Sequence, residues 1–248
     1  MELQSCVNSM WIGNVLSDME NLCISSFLSY GYRFNLYVYE EVKNLPVGVV
    51  ILDGNEILHK SKIFYYKNEP GKGSFSAFSN LFRYALLQKH GGIWVDMDVV
   101  CVGRFDEFSS IALASQLNSN GTQTPTTCFI KCPKNCDFIN YCFNQSLQKN
   151  FEELRWGEIG PNLIKEAVYK YSLFDSVLGY KVVCPINFFE CQFFFESNNN
   201  FKFTHETKMI HLWNEMWRRR DYNKNFNYNK NCLYEKIKSN NFLKIKML

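Results

Sequence analysis

A strong amphipathic helix, a pair of glycines and a short apolar strand follow one another without a break in the middle of the chain. In the segment Ser74–His90, apolar residues recur every three to four positions, which is typical of a helix with one buried face. Gly91-Gly92 would end this helix, and the run Ile93–Val100 predicts a strand directly after it. Such a tight helix-to-strand return favours a layered α/β domain.

The rest of the chain repeats this alternation of short apolar runs and helical patterns. We predict further strands at Cys6–Ile12, Arg33–Tyr39, Val49–Leu52, Lys181–Pro185 and Met209–His211. We predict further helices at Asp18–Ser29, around Asp137–Gln148 and around Gly160–Tyr171. The stretch Ser115–Thr127 is expected to be rich in loops. Alternating strands and helices predict an α/β sheet rather than a sandwich or a barrel.

Charge is distributed unevenly along the 248 residues. Residues 218–248 hold nine basic and two acidic residues, a net +7 against +3 for the whole chain, which leaves −4 for residues 1–217. We therefore expect one domain over residues 1–217 and a short basic tail over residues 218–248. Such a tail is usually solvated, but this one interleaves apolar residues with lysines and would also suit an acidic membrane surface. These apolar residues are Phe242, Leu243, Ile245 and Leu248.

Several classes of protein are disfavoured by what the sequence lacks. Its ten cysteines show no zinc-knuckle spacing, and no recognised nucleic-acid motif is present, so nucleic acid is not an expected partner. The start of the chain has neither the basic region nor the apolar core of a signal peptide, and no run is long enough to span a bilayer. We expect a cytoplasmic protein with free thiols, with peripheral contact at the inner membrane face as one option.

Asp96 and Asp98 lie two residues apart at the end of the apolar run Ile93-Trp94-Val95. On a strand, residues two apart share a face, so both carboxylates would point the same way. Two adjacent carboxylates repel unless a cation lies beside them, and oxygen ligands suit Mg²⁺ or Mn²⁺, which also bind phosphate oxygens. Ligands of open α/β sheets bind at the carboxyl ends of the strands. The pair therefore predicts a metal-bound diphosphate at this point.

Other interpretations of the same residues are less favoured. A solvated aspartate pair in a turn is common, but here a strand, a double glycine and an amphipathic helix precede it. Glycosidase carboxylates flank a sugar from separate elements, about 5 Å or more apart, which suits two residues of one strand poorly. A nucleotidyltransferase would need a glycine-rich phosphate loop, and the only candidate, Gly71-Lys72-Gly73-Ser74, is too short for a P-loop.

The central segment resembles the signature of the DXD-containing sugar-binding glycosyltransferases. This family includes mannosyltransferases and α-1,4-galactosyl- and N-acetylglucosaminyltransferases, and the large clostridial glucosylating toxins share a related core. Two runs carry the specific resemblance, Phe78-Ser79-Asn80-Leu81-Phe82-Arg83-Tyr84-Ala85-Leu86-Leu87 and Gly91-Gly92-Ile93-Trp94-Val95-Asp96-Met97-Asp98. Weaker similarities occur at Trp11-Ile12-Gly13, Gly160-Pro161 and His211-Leu212-Trp213-Asn214.

The resemblance implies a GT-A fold, a Rossmann-like mixed sheet flanked by helices. It also implies a retaining transfer from a nucleotide sugar with Mn²⁺ or Mg²⁺, with UDP favoured by family frequency, to a glycan or glycolipid acceptor in polysaccharide or lipopolysaccharide synthesis. The implied metal ligands are Asp98, His211 and, directly or through water, Asp96. The implied donor contacts are Asp96 at the ribose and sugar, Arg83 at the sugar or phosphate, Trp11 under the base and Trp217 over the diphosphate. Asp96 and Arg83 are the expected catalytic residues, and Arg83 would stabilise the charge that develops on the departing phosphate.

Two positions depart from the family pattern. Asn80 replaces the usual aspartate that hydrogen-bonds the donor sugar, and Met216 replaces the serine before the last tryptophan, where a thioether is a poor ligand for a hard cation. Asn214 is the alternative metal ligand in that segment. These departures keep open a second hypothesis, a non-catalytic sugar- or nucleotide-binding protein with a decayed transferase fold.

Two further residues have less defined roles. Trp94 shares the aspartates' face by strand alternation and could pack or contact the donor. Glu158, before Gly160-Pro161, could approach the acceptor. No side chain stands out as a dedicated nucleophile.

Overall fold

A mixed six-stranded sheet forms the centre of the protein. The computed structural model describes residues 6–197 and 201–239. In the large sheet the strands lie in the order β3-β2-β1-β4-β7-β6, and a small antiparallel sheet pairs β5 with β8. The strands are β1 Cys6–Trp11, β2 Arg33–Val38, β3 Val50–Asp53, β4 Gly92–Val95, β5 Val99–Cys101, β6 Ala112–Leu117, β7 Gln123–Cys132 and β8 Met209–His211.

Four neighbouring strands of the large sheet, β3, β2, β1 and β4, run parallel, whereas β7 is antiparallel to both β4 and β6. Helices flank this sheet, which confirms the predicted α/β class and its mixed sheet. The helices are α1 Asp18–Ser29, α2 Ser76–His90, α3 Asp137–Leu147, α4 Pro161–Lys170, α5 Tyr180–Val183, α6 Asn214–Arg219 and α7 Leu233–Lys238.

Local sequence signals set the ends of the two helices nearest the site. Ser17 caps α1 in a capping box with Glu20, which satisfies backbone N–H groups of the first turn. Helix α2 ends at Gly91, whose φ of 67° suits glycine and lets the chain turn directly into β4. The predicted helix over Ser74–His90 is therefore confirmed to within two residues.

The large sheet separates two hydrophobic clusters. Because successive strand residues point to opposite faces, Val95 belongs to the cluster beneath α1 and the small sheet, whereas Trp94 belongs to the cluster beneath α2, α3 and α4. The carboxyl ends of β1 and β4 lie next to each other between these two layers.

Three predictions about local structure were wrong. The stretch Ser115–Thr127 is not mainly loop, because it forms the end of β6, a short turn and the start of β7. Its polar residues conceal the strands, yet Thr126 and Thr127 are buried. The predicted strand Lys181–Pro185 is instead the four-residue helix α5. The predicted single strand Ile93–Val100 breaks after Val95 and resumes at Val99.

The described part of the basic tail is packed on the main body. Tyr234 and Ile237 of α7 are fully buried in the cluster beneath α1, and Lys224 forms an ion pair with Glu20 of α1. The boundary expected at residue 218 did not anticipate these contacts. The apolar residues proposed to touch a membrane, Phe242, Leu243, Ile245 and Leu248, lie outside the described residues.

Within residues 6–197 and 201–239, none of the helices combines the length and the apolar character that crossing a bilayer requires.

Candidate active site

Asp96 and Asp98 lie in a tight turn between β4 and β5, not on one strand face as expected. The turn is closed by the Val99 N–H, which donates to the Asp96 carbonyl at 3.1 Å. The two carboxylates still approach each other, because this turn passes from the large sheet to the small one. The side chains are 25% and 13% exposed, so the solvated-pair interpretation does not fit.

The Asp96 carboxylate is held by Arg83 of α2 through an ion pair and by Trp94 of β4 through a hydrogen bond. Arg83 Nη1 and Trp94 Nε1 each lie 2.8 Å from the same oxygen, Oδ1. The other oxygen, Oδ2, has no partner among the described residues. Asp96 is therefore fixed in orientation while one oxygen stays available to a ligand.

Arg83 is buried on α2 and stacks its guanidinium 4.9 Å from the Trp94 ring. Its Nε donates to the Ser79 carbonyl, its Nη2 to the Ser79 hydroxyl and its Nη1 to the Thr127 carbonyl, and Nη1 also forms the ion pair with Asp96. These three hydrogen bonds and the ion pair leave one N–H on Nη2. The arginine thus mainly positions Asp96 and keeps a single N–H for a ligand.

The pairing of β5 with β8 brings His211 to Asp98. Val99 pairs with His211 in register, and His211 Nε2 lies 3.2 Å from Asp98 Oδ2. The Asn214 N–H also donates to Oδ2 at 2.8 Å, and the Leu212 N–H donates to the Asp98 carbonyl. The segment after β8 therefore holds Asp98 from side chain and backbone together.

The surroundings shift the pKa values of the two carboxyl groups in opposite directions. Burial raises the pKa of Asp96 above its usual range in spite of Arg83, and the neighbouring Asp98 charge adds to this rise. Burial also acts to raise the pKa of Asp98, but His211 and the Asn214 N–H outweigh it and hold the pKa below its usual range. A cation between the two would relieve the cost of ionising Asp96.

The residues present fit a divalent cation. Ligand atoms of Asp96, Asp98 and His211 all lie within 4.8 Å of one another. Two carboxylates and an imidazole suit Mn²⁺, and carboxylates alone suit Mg²⁺.

Trp213 packs against the His211 ring, and the sequence did not predict this role for it. The two ring centroids are 3.9 Å apart, and the Trp213 indole N–H donates to the Ile186 carbonyl at 2.7 Å. Trp213 adopts a left-handed backbone with φ of 62°, which is rare for a bulky residue. The sequence gives no signal for this conformation, because it depends on the packing of two distant segments.

A cavity of about 690 Å³ opens over the two aspartates. Trp11 and Asn80 both line it, and each has a buried polar atom without a partner among the described residues, Nε1 and Oδ1 respectively. Other predicted site residues on the cavity wall are Arg83, Trp94, Asp96, Asp98 and His211. The structure therefore brings together most of the residues that the sequence singled out.

Two predicted site residues lie elsewhere. Trp217 is fully buried, packs against Phe195 and Tyr234, and is absent from the cavity wall, where Trp213 and Met216 stand instead. Glu158 is also not on the wall, because its carboxylate bonds Lys149 and the Arg155 N–H.

Two groups of ion-paired residues lie on or beside the cavity. Glu20 is almost fully buried at the cavity wall and is paired with Lys224 at 2.6 Å, and the lysine also lies over the Trp11 ring. Glu215 is paired with Arg218 and Arg219. Only the fold brings Glu20 and Lys224 together, whereas the Glu215 pairs are local i,i+3 and i,i+4 contacts of α6.

Two family models match the sequence of this chain. Residues 15–120 match the family model described as the glycosyltransferase sugar-binding region containing DXD motif. Residues 132–245 match the model described as the alpha 1,4-glycosyltransferase conserved region. The chain is therefore a glycosyltransferase enzyme. More particularly, its sequence is similar to the DXD-containing glycosyltransferases, with the motif at Asp96-Met97-Asp98.

The chain also has more distant similarities to other proteins. Toxin A of Clostridium novyi is 25% identical over 122 residues, which cover 48% of this chain and 6% of the toxin. The chain thus spans only about 6% of the length of this relative. Among solved structures, the PaToxG glycosyltransferase is 19% identical with a TM-score of 0.48, covering 68% of this chain and 69% of that one. The catalytic domain of alpha-toxin from Clostridium novyi is 12% identical with a TM-score of 0.41, covering 68% and 63%.

Proposed function

We propose that this protein transfers a sugar from a nucleotide sugar, with UDP the favoured nucleotide, to a hydroxyl of a glycan or glycolipid with retention of configuration. The observation that carries the proposal is the meeting of Asp96, Asp98 and His211 beneath a cavity of about 690 Å³. A cavity of this size suits a ligand as large as a nucleotide sugar.

A divalent cation, Mn²⁺ or Mg²⁺, would be held by Asp98 and Asp96 and would supply Lewis-acid neutralisation of the leaving diphosphate. His211 would complete the ligand set if Nε2 is unprotonated, and would orient Asp98 if Nε2 carries the proton.

The chain's own residues would position the donor. Trp11 would provide a stacking face for the base, and its unpartnered indole N–H would find an acceptor there. Asn80 Oδ1 would accept a hydrogen bond from a donor-sugar hydroxyl, which would remove a buried unpaired acceptor. The remaining Arg83 N–H would reach the same part of the donor.

The cavity carboxylates favour retention without a protein nucleophile. Glu20 is paired with Lys224 and Glu215 with two arginines, while Asp96 and Asp98 belong to the candidate metal site. The acceptor hydroxyl would then attack on the face of the leaving group, and the departing phosphate would take its proton. Glu158 remains an acceptor-site hypothesis, although its carboxylate bonds Lys149.

The test combines binding with turnover. Thermal stability would be measured with UDP, GDP and their sugar conjugates, each with and without Mn²⁺, for the wild type, Asp98→Asn and the control Asp175→Asn, which alters an exposed aspartate outside the cavity. Binding to the folded state raises the melting temperature by linkage. We expect a metal-dependent rise with one nucleotide, lost only in Asp98→Asn, together with release of the nucleoside diphosphate.

One specific observation favours a second candidate, a non-catalytic binding protein. Asn80 stands where the family has an aspartate, and it is buried at the cavity wall. Metal-dependent binding without release of the nucleoside diphosphate, with water or with glycan acceptors, would support this candidate. No stabilisation by any nucleotide would contradict both.

A further inference from the structure

A second group of ligand atoms lies on the other side of the His211 ring. Cys184 Sγ is 3.7 Å from His211 Nδ1, and Cys128 Sγ is 3.7 Å from Cys184 Sγ. All three atoms lie within 4.8 Å of one another. This group shares only His211 with the aspartate site, and it offers sulfur and nitrogen rather than oxygen.

The three residues come from separate parts of the fold. Cys128 lies on β7 of the large sheet, Cys184 follows α5, and His211 ends β8 of the small sheet. Their exposed fractions are 1%, 0% and 7%. The group therefore joins the two sheets at a point that solvent barely reaches.

The distances match those of a tetrahedral zinc site. With Zn–S of about 2.3 Å and Zn–N of about 2.0–2.1 Å, tetrahedral geometry separates two sulfurs by about 3.8 Å and a sulfur from a nitrogen by about 3.6 Å. Both observed separations are 3.7 Å. A disulfide would instead need the sulfurs about 2.0 Å apart.

The second neighbour of His211 also fits a zinc ligand. Histidines that bind metal through one ring nitrogen usually donate the other N–H to a carboxylate. Here the other nitrogen, Nε2, lies 3.2 Å from Asp98 Oδ2. The protein therefore already has the contacts of such a site, in which a carboxylate adjoins the imidazole and the imidazole adjoins the two thiols.

Charge balance makes such an ion tolerable in the interior. Two thiolates, one neutral imidazole and Zn²⁺ sum to zero charge, so the buried group would not carry an uncompensated charge. Soft and borderline ligands also prefer zinc to Mn²⁺ or Mg²⁺, which separates the two sites by ligand type.

We propose that Cys128, Cys184 and His211 Nδ1 bind a structural zinc ion beside the aspartate site. Three protein ligands leave the fourth tetrahedral position to a further donor. With zinc on Nδ1, the Nε2–H of His211 donates to Asp98, so His211 orients this carboxylate rather than binding the ion at the aspartates. The assignment of zinc itself does not depend on the proposed transferase reaction.

The test measures metal content and cobalt spectra of the full chain purified under reducing conditions. We expect about one zinc per chain, retained through dialysis against Mn²⁺, because thiolate sites bind zinc tightly. After removal of zinc, added Co²⁺ should give the intense thiolate-to-cobalt band in the near ultraviolet. Cys184→Ser and Cys128→Ser should lose both signals.

Two matched variants separate this site from its neighbours. Cys142→Ser changes a fully buried cysteine of α3 outside the group and should keep zinc and the cobalt band. Asp98→Asn should keep them too, even though it removes the aspartate site. If Cys128→Ser does not fold, the wild-type cobalt spectrum and the zinc content of Cys184→Ser still test the proposal.

The proposal is overturned if the wild type, incubated with equimolar Zn²⁺, retains none after dialysis. It is equally overturned if the cobalt complex lacks the thiolate band or if Cys184→Ser binds zinc as the wild type does. Loss of nucleotide binding with zinc intact would instead count against the transferase proposal alone.

Discussion

At the scale of single residues, the orientation of Asp96 depends on an ion pair with Arg83 and a hydrogen bond from Trp94, which meet at one carboxylate oxygen. A hydrogen bond to a charged group contributes about 1.5–3 kcal/mol. Trp94→Phe removes one of the two donors and keeps most of the apolar contact. We expect kcat/KM to fall about 10- to 100-fold, the rate equivalent of that energy, in steady-state assays of nucleoside diphosphate release.

Trp217→Phe is the informative comparison, since both tryptophans are fully buried and lose the same atoms. The Trp217 indole N–H has no partner among the described residues, so Trp217→Phe removes no hydrogen bond. The smaller ring should lower stability through lost packing, without changing kcat/KM of the folded enzyme. An equal loss of kcat/KM in both variants would contradict the role given to Trp94. It would restore the expectation that Trp217 closes over the diphosphate.

Cys136 should be the most reactive cysteine in the described part of the chain. A hydrogen bond from Cys132 lowers the pKa of its half-buried thiol to about 7. The thiolate is the nucleophile, so alkylation by iodoacetamide should rise through neutral pH and level off above it. Peptide mapping by mass spectrometry across this range would measure the rate.

Cys6 serves as the internal standard, because it is also half-buried but burial raises its pKa. Its alkylation should still be increasing where that of Cys136 has levelled off. Identical pH profiles for the two cysteines would contradict the prediction.

Whether a residue of the site could be predicted depends on how far away in the sequence its contacts lie. Asp96, Asp98 and Arg83 were predicted because a helix, a double glycine and a strand place them in one local unit. His211 came only through the resemblance. Trp213 could not be predicted, since its position depends on the Ile186 carbonyl and a left-handed backbone.

At the scale of elements, the junction of α2 and β4 tolerates only glycine at position 91. A Cβ there would lie 2.3 Å from the Lys134 backbone nitrogen, and φ is positive. We expect Gly91→Ala to destabilise the fold by about 3 kcal/mol or more, because both backbone strain and a rigid clash act together. Urea denaturation would measure the change in free energy of unfolding.

Gly121→Ala isolates the contribution of the backbone. Gly121 also has positive φ, but a Cβ there would meet nothing within 4 Å. We expect a loss of about 1–2 kcal/mol, the cost of the left-handed backbone alone. Equal losses at the two positions would show that the contact with Lys134 does not matter.

The four longer helices were easier to predict than the hairpin of β6 and β7. Helix α1 was predicted at its observed bounds, because its apolar period and capping box are local signals. The hairpin of β6 and β7 was missed, since Thr126 and Thr127 are polar yet buried at the cavity wall. The apolar–polar alternation that is used to predict strands is absent where a buried sheet face lines a site and is therefore polar.

At the scale of the whole molecule, α7 belongs to the same core as α1. Ile237 is fully buried in that core. We expect Ile237→Ala to lower the free energy of unfolding of the entire protein by about 2–5 kcal/mol, in one cooperative transition. Chemical denaturation followed by both fluorescence and circular dichroism would show whether the transitions coincide.

Phe226→Ala provides the control within the same segment, because Phe226 is 56% exposed. Its loss should cost less than about 1 kcal/mol. If Ile237→Ala left the main transition unchanged, residues 218–239 would instead behave as the separate tail that the charge distribution predicted.

The hydrogen bond from the Asn214 N–H to Asp98 joins residues 116 positions apart. A ribosome adding about 5–20 residues per second needs roughly 6–23 s to make that length of chain. During this time the nascent chain already carries the aspartate turn but lacks the segment that fixes Asp98. We therefore expect the aspartate turn to reach its folded geometry only after translation has passed β8, so that the candidate site is completed late in the synthesis of the chain.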